Sequence, residues 1–187
     1  MTSHYISAFK RKGLFKVLAL AVGGLMLITG CADQVYKVHI WLGEKFSEER
    51  YQDLPAAERE FRAAVHLKPA SSEAHSKLGF ALSQLGKKEE AIAEYREAVR
   101  LNPADARGHY ILGSLLKLQG ITDEAIAELC KAVLLKPDDD EVLIYLATYL
   151  DSLERRQQAR VYWEKSLEVV TRPETVVRIT NRLAEPD

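Results

Sequence analysis

Thiols and imidazoles are the side chains best suited to nucleophilic, redox and soft-metal chemistry. This sequence of 187 residues holds two cysteines and five histidines. Cys31 and Cys130 are too few for a four-thiolate zinc site or a disulfide-dense scaffold. His4 lies in the N-terminal segment, His39 and His66 are isolated, and His75 and His109 share a local sequence context that occurs twice. A Gly-rich phosphate loop, a paired-cysteine motif, a metalloprotease helix signature and a nucleophile elbow are all missing. The expectation is a protein that is not an enzyme, with no catalytic residue, cofactor or metal site. Its chemistry belongs to single residues, so what positions them decides what they do.

Cys31 ends a segment that reads as an address. Lys10, Arg11, Lys12 and Lys16 precede an unbroken apolar run of twelve residues from Val17 to Ile28. A membrane-spanning helix needs roughly 20 apolar residues, so a run of this length reads as the core of a secretory signal. Ile28-Thr29-Gly30-Cys31 follows. An aliphatic residue, two small residues and a cysteine resemble the lipobox of bacterial lipoproteins. That resemblance implies diacylglyceryl attachment at Cys31 and removal of residues 1–30. The alternatives are an uncleaved signal anchor, or a conventional leader with an incidental cysteine. Each buried methylene contributes about 0.8 kcal/mol, so two or three acyl chains anchor durably where one holds marginally. Ala32 follows Cys31, not the aspartate that resembles an inner-membrane retention signal, which favours the outer membrane in a host that has one.

The elements that follow are set by a repeat. Pro69, Pro103 and Pro137 are evenly spaced, and Glu89-Glu90-Ala91-Ile92-Ala93-Glu94-Tyr95 answers to Asp123-Glu124-Ala125-Ile126-Ala127-Glu128-Leu129 at the same interval. Leu78-Gly79 matches Leu112-Gly113, and Gly86 matches Gly120. Period and pattern resemble the tetratricopeptide repeat (TPR), a helix–turn–helix unit of about 34 residues. The resemblance implies an all-α, right-handed α-solenoid of stacked repeats at 38–71 (diverged), 72–105, 106–139 and 140–173. Trp41 precedes Ala57 by the family's tryptophan-to-alanine spacing, which places the diverged repeat in register. In the last repeat Glu154 replaces the turn glycine. A lipidated N-terminus and short tether fill 31–37, and a capping helix with Val176, Val177, Ile179 and Leu183 inside, then a tail, fill 174–187.

Helical spacing makes stripes of His75, Leu78 and Leu82, of His109, Leu112 and Leu116, and of Leu143, Leu146 and Leu150. Small Gly79, Gly113 and Ala147 admit a partner helix that presents Ala91 with Tyr95, Ala125 with Leu129, and Ala159 with Trp163. Gly86 and Gly120 suit left-handed helix ends, and Asp105 and Asp139 can cap the helices after the prolines. His75 and His109 then read as wedged core side chains, though a shared ligand is the alternative. Cys130 falls where other repeats have Arg62, Arg96 and Glu164, so it reads as a surface thiol, inert or else available for intermolecular or redox chemistry.

Residues 1–30 carry four bases and no acid, leaving 22 bases and 27 acids in the rest, which gives no general attraction for nucleic acid. The TPR resemblance implies peptide contacts from positions 2, 5, 9 and 12 of each repeat, here Glu73, Ser76, Phe80 and Ser83; Arg107, Tyr110, Ser114 and Lys117; and Glu141, Ile144, Thr148 and Asp151. Phe80, Tyr110 and Ile144 would floor the groove; the alternative is that the two aromatics pack against neighbouring helices. The family's clamp for a chaperone's C-terminal carboxylate needs a lysine and an asparagine where Ser76 and Phe80 stand.

The expected function is that of a membrane-anchored adaptor or assembly factor in the bacterial cell envelope. Its partners would be another envelope protein or peptide segment and the membrane, with a homo-oligomer as a further option. Similar lipoproteins serve pilus, secretion, outer-membrane or cytochrome biogenesis. A thiol-dependent helper using Cys130 and a self-assembling envelope protein are the alternatives.

Overall fold

The computed structural model describes residues 32–48 and 53–184, among which nine helices and no strand occur. The leader and Cys31 lie outside the described residues, as does the tail over 185–187. The helices fall into two compact units, one ending at Leu101 and the other beginning at Asn102.

The first unit holds α1 (Ala32–Ser47), α2 (Leu54–Leu67), α3 (Ser72–Gln84) and α4 (Lys88–Leu101). Sequential helices pack together: α1 on α2, α2 on α3 and α3 on α4. Starts and stops follow local chemistry. The Asp53 and Ser71 side chains accept hydrogen bonds from the Ala56 and Ala74 amides and so cap α2 and α3. Gly86, at φ +76°, turns the chain into α4. The expected stripe of α3 is buried, as are Ala91 and Tyr95 facing it from α4. Gly79 is required here, because a Cβ would lie 2.9 Å from the Tyr95 ring.

The second unit holds α5 (Ala106–Leu118), α6 (Thr122–Leu135), α7 (Asp140–Ser152), α8 (Arg156–Val169) and α9 (Pro173–Ala184), again packed in sequence. Both of its stripes are buried, together with Ala125, Leu129, Ala159 and Trp163. Asp139 caps α7 through the Val142 amide, as expected. Asp105 stands at the N-cap of α5 but makes no such bond. Ile179 is fully buried on α9, whereas Val177, expected inside, is 59% exposed and Thr175 takes the inner place.

The first repeat departs furthest from its expected form. α1 begins at Ala32, so residues 32–37 of the expected tether are helical. Trp41 does not carry the register: it is 46% exposed, whereas His75, His109 and Leu143, its expected counterparts, are buried. The counterparts of His75, Leu78 and Gly79 are instead His39, Leu42 and Gly43. A Cβ on Gly43 would collide with the Phe61 ring, the relation that Gly79 has to Tyr95 and Gly113 to Leu129. The interval from Gly43 to Gly79 exceeds that from Gly79 to Gly113 by two positions, and the extra two fall between Gly43 and Phe61. The proline period cannot report that insertion, because it lies upstream of Pro69.

Glu154 occupies the last repeat's turn at φ 58°, the left-handed region that glycine fills at Gly86 and Gly120. A side chain there costs about 1–2 kcal/mol. Glu154→Gly should raise the unfolding free energy by about 1 kcal/mol and Gly120→Ala lower it by a similar amount, read from urea midpoints at unchanged slope.

Candidate functional site

The expected contact residues divide between the two units. In the first, α3 leaves Phe80 44% exposed, with Glu73, Ser76 and Ser83 half-buried or exposed around it. Glu73 accepts a hydrogen bond from Tyr36 of α1, and the Ser83 hydroxyl donates to the Phe80 carbonyl. Burial of Tyr36 raises its phenol above the usual range. Phe80 therefore stands on an exposed helix face beside short polar side chains.

In the second unit α5 and α7 bring their contact residues together. The Tyr110 and Tyr145 rings meet edge to face with centroids 5.3 Å apart. Lys117 Nζ lies over Tyr145 at 4.5 Å and over Tyr149 at 4.8 Å, both within cation–π range. Burial, and then the neighbouring Glu141 carboxylate, raise the Tyr110 phenol above its ordinary value. Ser114 and Thr148 donate to the Tyr110 and Ile144 carbonyls one turn back, so both hydroxyls are spent on their own helices. Arg107, Tyr110, Ile111, Lys136, Glu141 and Val142 line a cleft of ≈ 300 Å³ at the N-terminal ends of these helices. Tyr145 and Tyr149 were missed from sequence. Their spacing from Lys117 is not periodic, and only the packing of α5 beside α7 unites them.

Asp151 leaves the contact set. Its carboxylate accepts from Trp163 Nε1 at 2.8 Å and from Arg182 of α9 at 2.8 and 2.9 Å, and its side chain is only 15% exposed. It is a clasp for the terminal helix. Burial would raise its pKa, but the bonds from Arg182 and Trp163 outweigh that and hold the carboxyl below the usual aspartate range.

The histidines are crosslinks. His75 Nε2 lies 2.9 Å from the Pro69 carbonyl and Nδ1 lies 2.6 Å from Glu94; His109 repeats this with Pro103 at 3.2 Å and Glu128 at 2.5 Å. His39 meets Glu60 at 2.7 Å in the same manner. With both ring nitrogens engaged by protein groups, His75 and His109 leave no ring nitrogen for a shared ligand. Burial opposes the Glu128 charge, yet Lys131 and His109 together hold that carboxyl low. The signal was present in the sequence: in both repeats the glutamate follows its histidine at the same separation. Cys130 is half-buried, with Sγ 3.3 Å from the Tyr162 hydroxyl. Its neighbour is thus a phenol where a thiol catalyst needs an imidazole or carboxylate. Burial and Cys130 push Tyr162 up to about 12. Among the described residues no cluster of three or more potential metal ligands occurs, and no helix is long and apolar enough to cross a membrane.

Comparison with known families matches a TPR repeat over residues 81–120 and a tetratricopeptide repeat over 106–139. The chain carries tetratricopeptide repeats. Solved structures of the same fold include one reported in a functional characterisation of Pseudomonas aeruginosa pilF, 25% identical with TM-score 0.66, covering 81% of this chain and 69% of that one. MamA is 24% identical with TM-score 0.66 over 79% of this chain and 93% of its own. YrrB, described as a TPR protein with an unusual peptide-binding site, is 15% identical with TM-score 0.65 over 87% of this chain and 90% of its own. No curated protein matches the sequence.

In these repeats the exposed face of α5 and α7 and the Asp151 clasp are separable. Asp151→Ala leaves Arg182 and Trp163 without their shared acceptor and should cost about 2 kcal/mol, read as faster amide exchange in α9. A depressed native pKa gives stabilisation that is complete above the unfolded value of about 3.9 and is lost as pH falls through the native value. The protection of α9 in the wild type should therefore collapse on acidification below about pH 4, while the Asp151→Ala protein shows no such step.

Proposed function

We propose that this protein is a lipid-anchored TPR adaptor that holds a segment of another cell-envelope protein. One observation carries the reading: α5 and α7 bring Tyr110, Tyr145 and Lys117 together beside the Arg107–Glu141 cleft. Aromatic anchors with a few charges at the rim suit an extended or helical peptide. In the first unit, Phe80 is a separate exposed apolar side chain on α3. The fold shared with a protein described as having a peptide-binding site supports the same class of ligand.

Anchoring rests on the sequence from Lys10 to Cys31, which supports a diacylglyceryl thioether on Cys31, the periplasm-facing envelope as the location and the outer membrane as the favoured bilayer. Confinement near one surface raises the effective concentration of a membrane-bound partner without any new contact.

Photo-crosslinking in intact cells, with a photoreactive residue at position 148 of the full chain, should yield a small reproducible set of envelope proteins. Tyr110→Ala combined with Arg107→Glu should abolish those adducts at unchanged helical content; adducts that survive place the binding surface elsewhere. Separately, the mature N-terminal peptide should carry fatty acyl mass on Cys31, and Cys31→Ser should release the chain from membranes. An unmodified Cys31 in the wild type would end the anchor reading.

A further inference from the structure

α1 has an outer face that is polar but for one large aromatic side chain. Its inner side buries Val35, Tyr36, Ile40, Leu42 and Gly43 against the first unit. At helical spacing the opposite side bears Gln34, Lys37, Trp41 and Lys45, with the Trp41 indole 46% exposed. Charges along this side are engaged: Lys37 meets Asp33 at 3.0 Å, a carboxylate that Lys68 just after α2 also holds, Lys45 meets Glu48 at 2.5 Å, and Glu44 meets Lys77 of α3 at 2.5 Å.

We infer that this outer face of α1 lies on the bilayer surface, with Trp41 in the headgroup layer. The inference rests on the lipid anchor at Cys31 proposed above. α1 starts at Ala32, the residue after Cys31, so no slack chain separates the acylated residue from the helix. At 1.5 Å per residue, Trp41 stands about 14 Å along the axis from Ala32. An upright helix would hold the indole that far above the membrane in water; a helix lying along the surface sets it where amphipathic rings are favoured. An anchor at Cys31 would hold a bilayer close to α1, whereas a second copy would have to be recruited from solution.

The sequence contains two tryptophans, and Trp163 is buried with its N–H held by Asp151, so emission can be assigned by difference. Full-length protein from a host that processes lipoproteins is reconstituted into phosphatidylcholine vesicles with plain or brominated acyl chains, beside Trp41→Phe. The Trp41 component should fall about two-fold in brominated vesicles and shift to the blue, since an interfacial indole reaches the upper acyl chain. Trp41→Phe, with unchanged circular dichroism, should show neither effect. Acylated, vesicle-bound protein whose emission ignores bromine overturns the proposal and leaves the anchor standing. A Trp41 shift that follows protein concentration instead of bromine overturns it in favour of a second copy. A mass spectrum without acyl on Cys31, with protein left in the aqueous fraction, removes the anchor and the proposal together.

Discussion

Close approach between the two helices of each repeat is the constraint on which the rest depends. Gly43 faces Phe61, Gly79 faces Tyr95 and Gly113 faces Leu129, each at a distance that a Cβ could not share. The fourth repeat answers with Ala147 and Trp163 at the equivalent places, both buried. A missing side chain on one helix admits a large one from the other, which sets the depth of each hairpin. Once that depth is set, the leucine stripes close against their neighbours and the remaining side chains are sorted into inner and outer faces.

That sorting explains why polar residues sit inside. A histidine in the first helix meets a glutamate of the second in three repeats, at 2.5–2.7 Å, and in two of them the other ring nitrogen meets a proline carbonyl. Buried polar atoms are tolerated when their bonds are made, and these are made the same way each time. The fourth repeat has Leu143 and Tyr162 at the equivalent places, and Tyr162 is thereby released to meet Cys130 of the preceding repeat. One change of partner converts a hairpin crosslink into a contact between repeats.

The same logic separates surface from structure among the contact residues. Tyr110 and Lys117 lie on the outer side of α5, where side chains of α7 complete their surroundings. Asp151 sits one turn beyond Ala147 on α7, yet α9 and Trp163 consume both of its carboxylate oxygens. Family position alone gives Asp151 to a ligand; the terminal helix takes it first.

Periodicity was enough to read the architecture, because a recurring helix pair writes its buried stripes, small positions and left-handed turns into the chain at fixed intervals. The buried leucines, Gly86 and Gly120 were legible for that reason. The register of α1 was not, since the two extra positions fall between Gly43 and Phe61 and Trp41 imitates a core signature by spacing alone. The pairing of Lys117 with Tyr145 and Tyr149 was not legible either. These side chains are related by neither a helical period nor a repeat period, and only the packing of one helix beside another brings them within reach. Sequence by itself thus determined what recurs, because recurrence is local and chemical. Tertiary structure decided what each exceptional residue touches, because a contact depends on which faces are already occupied.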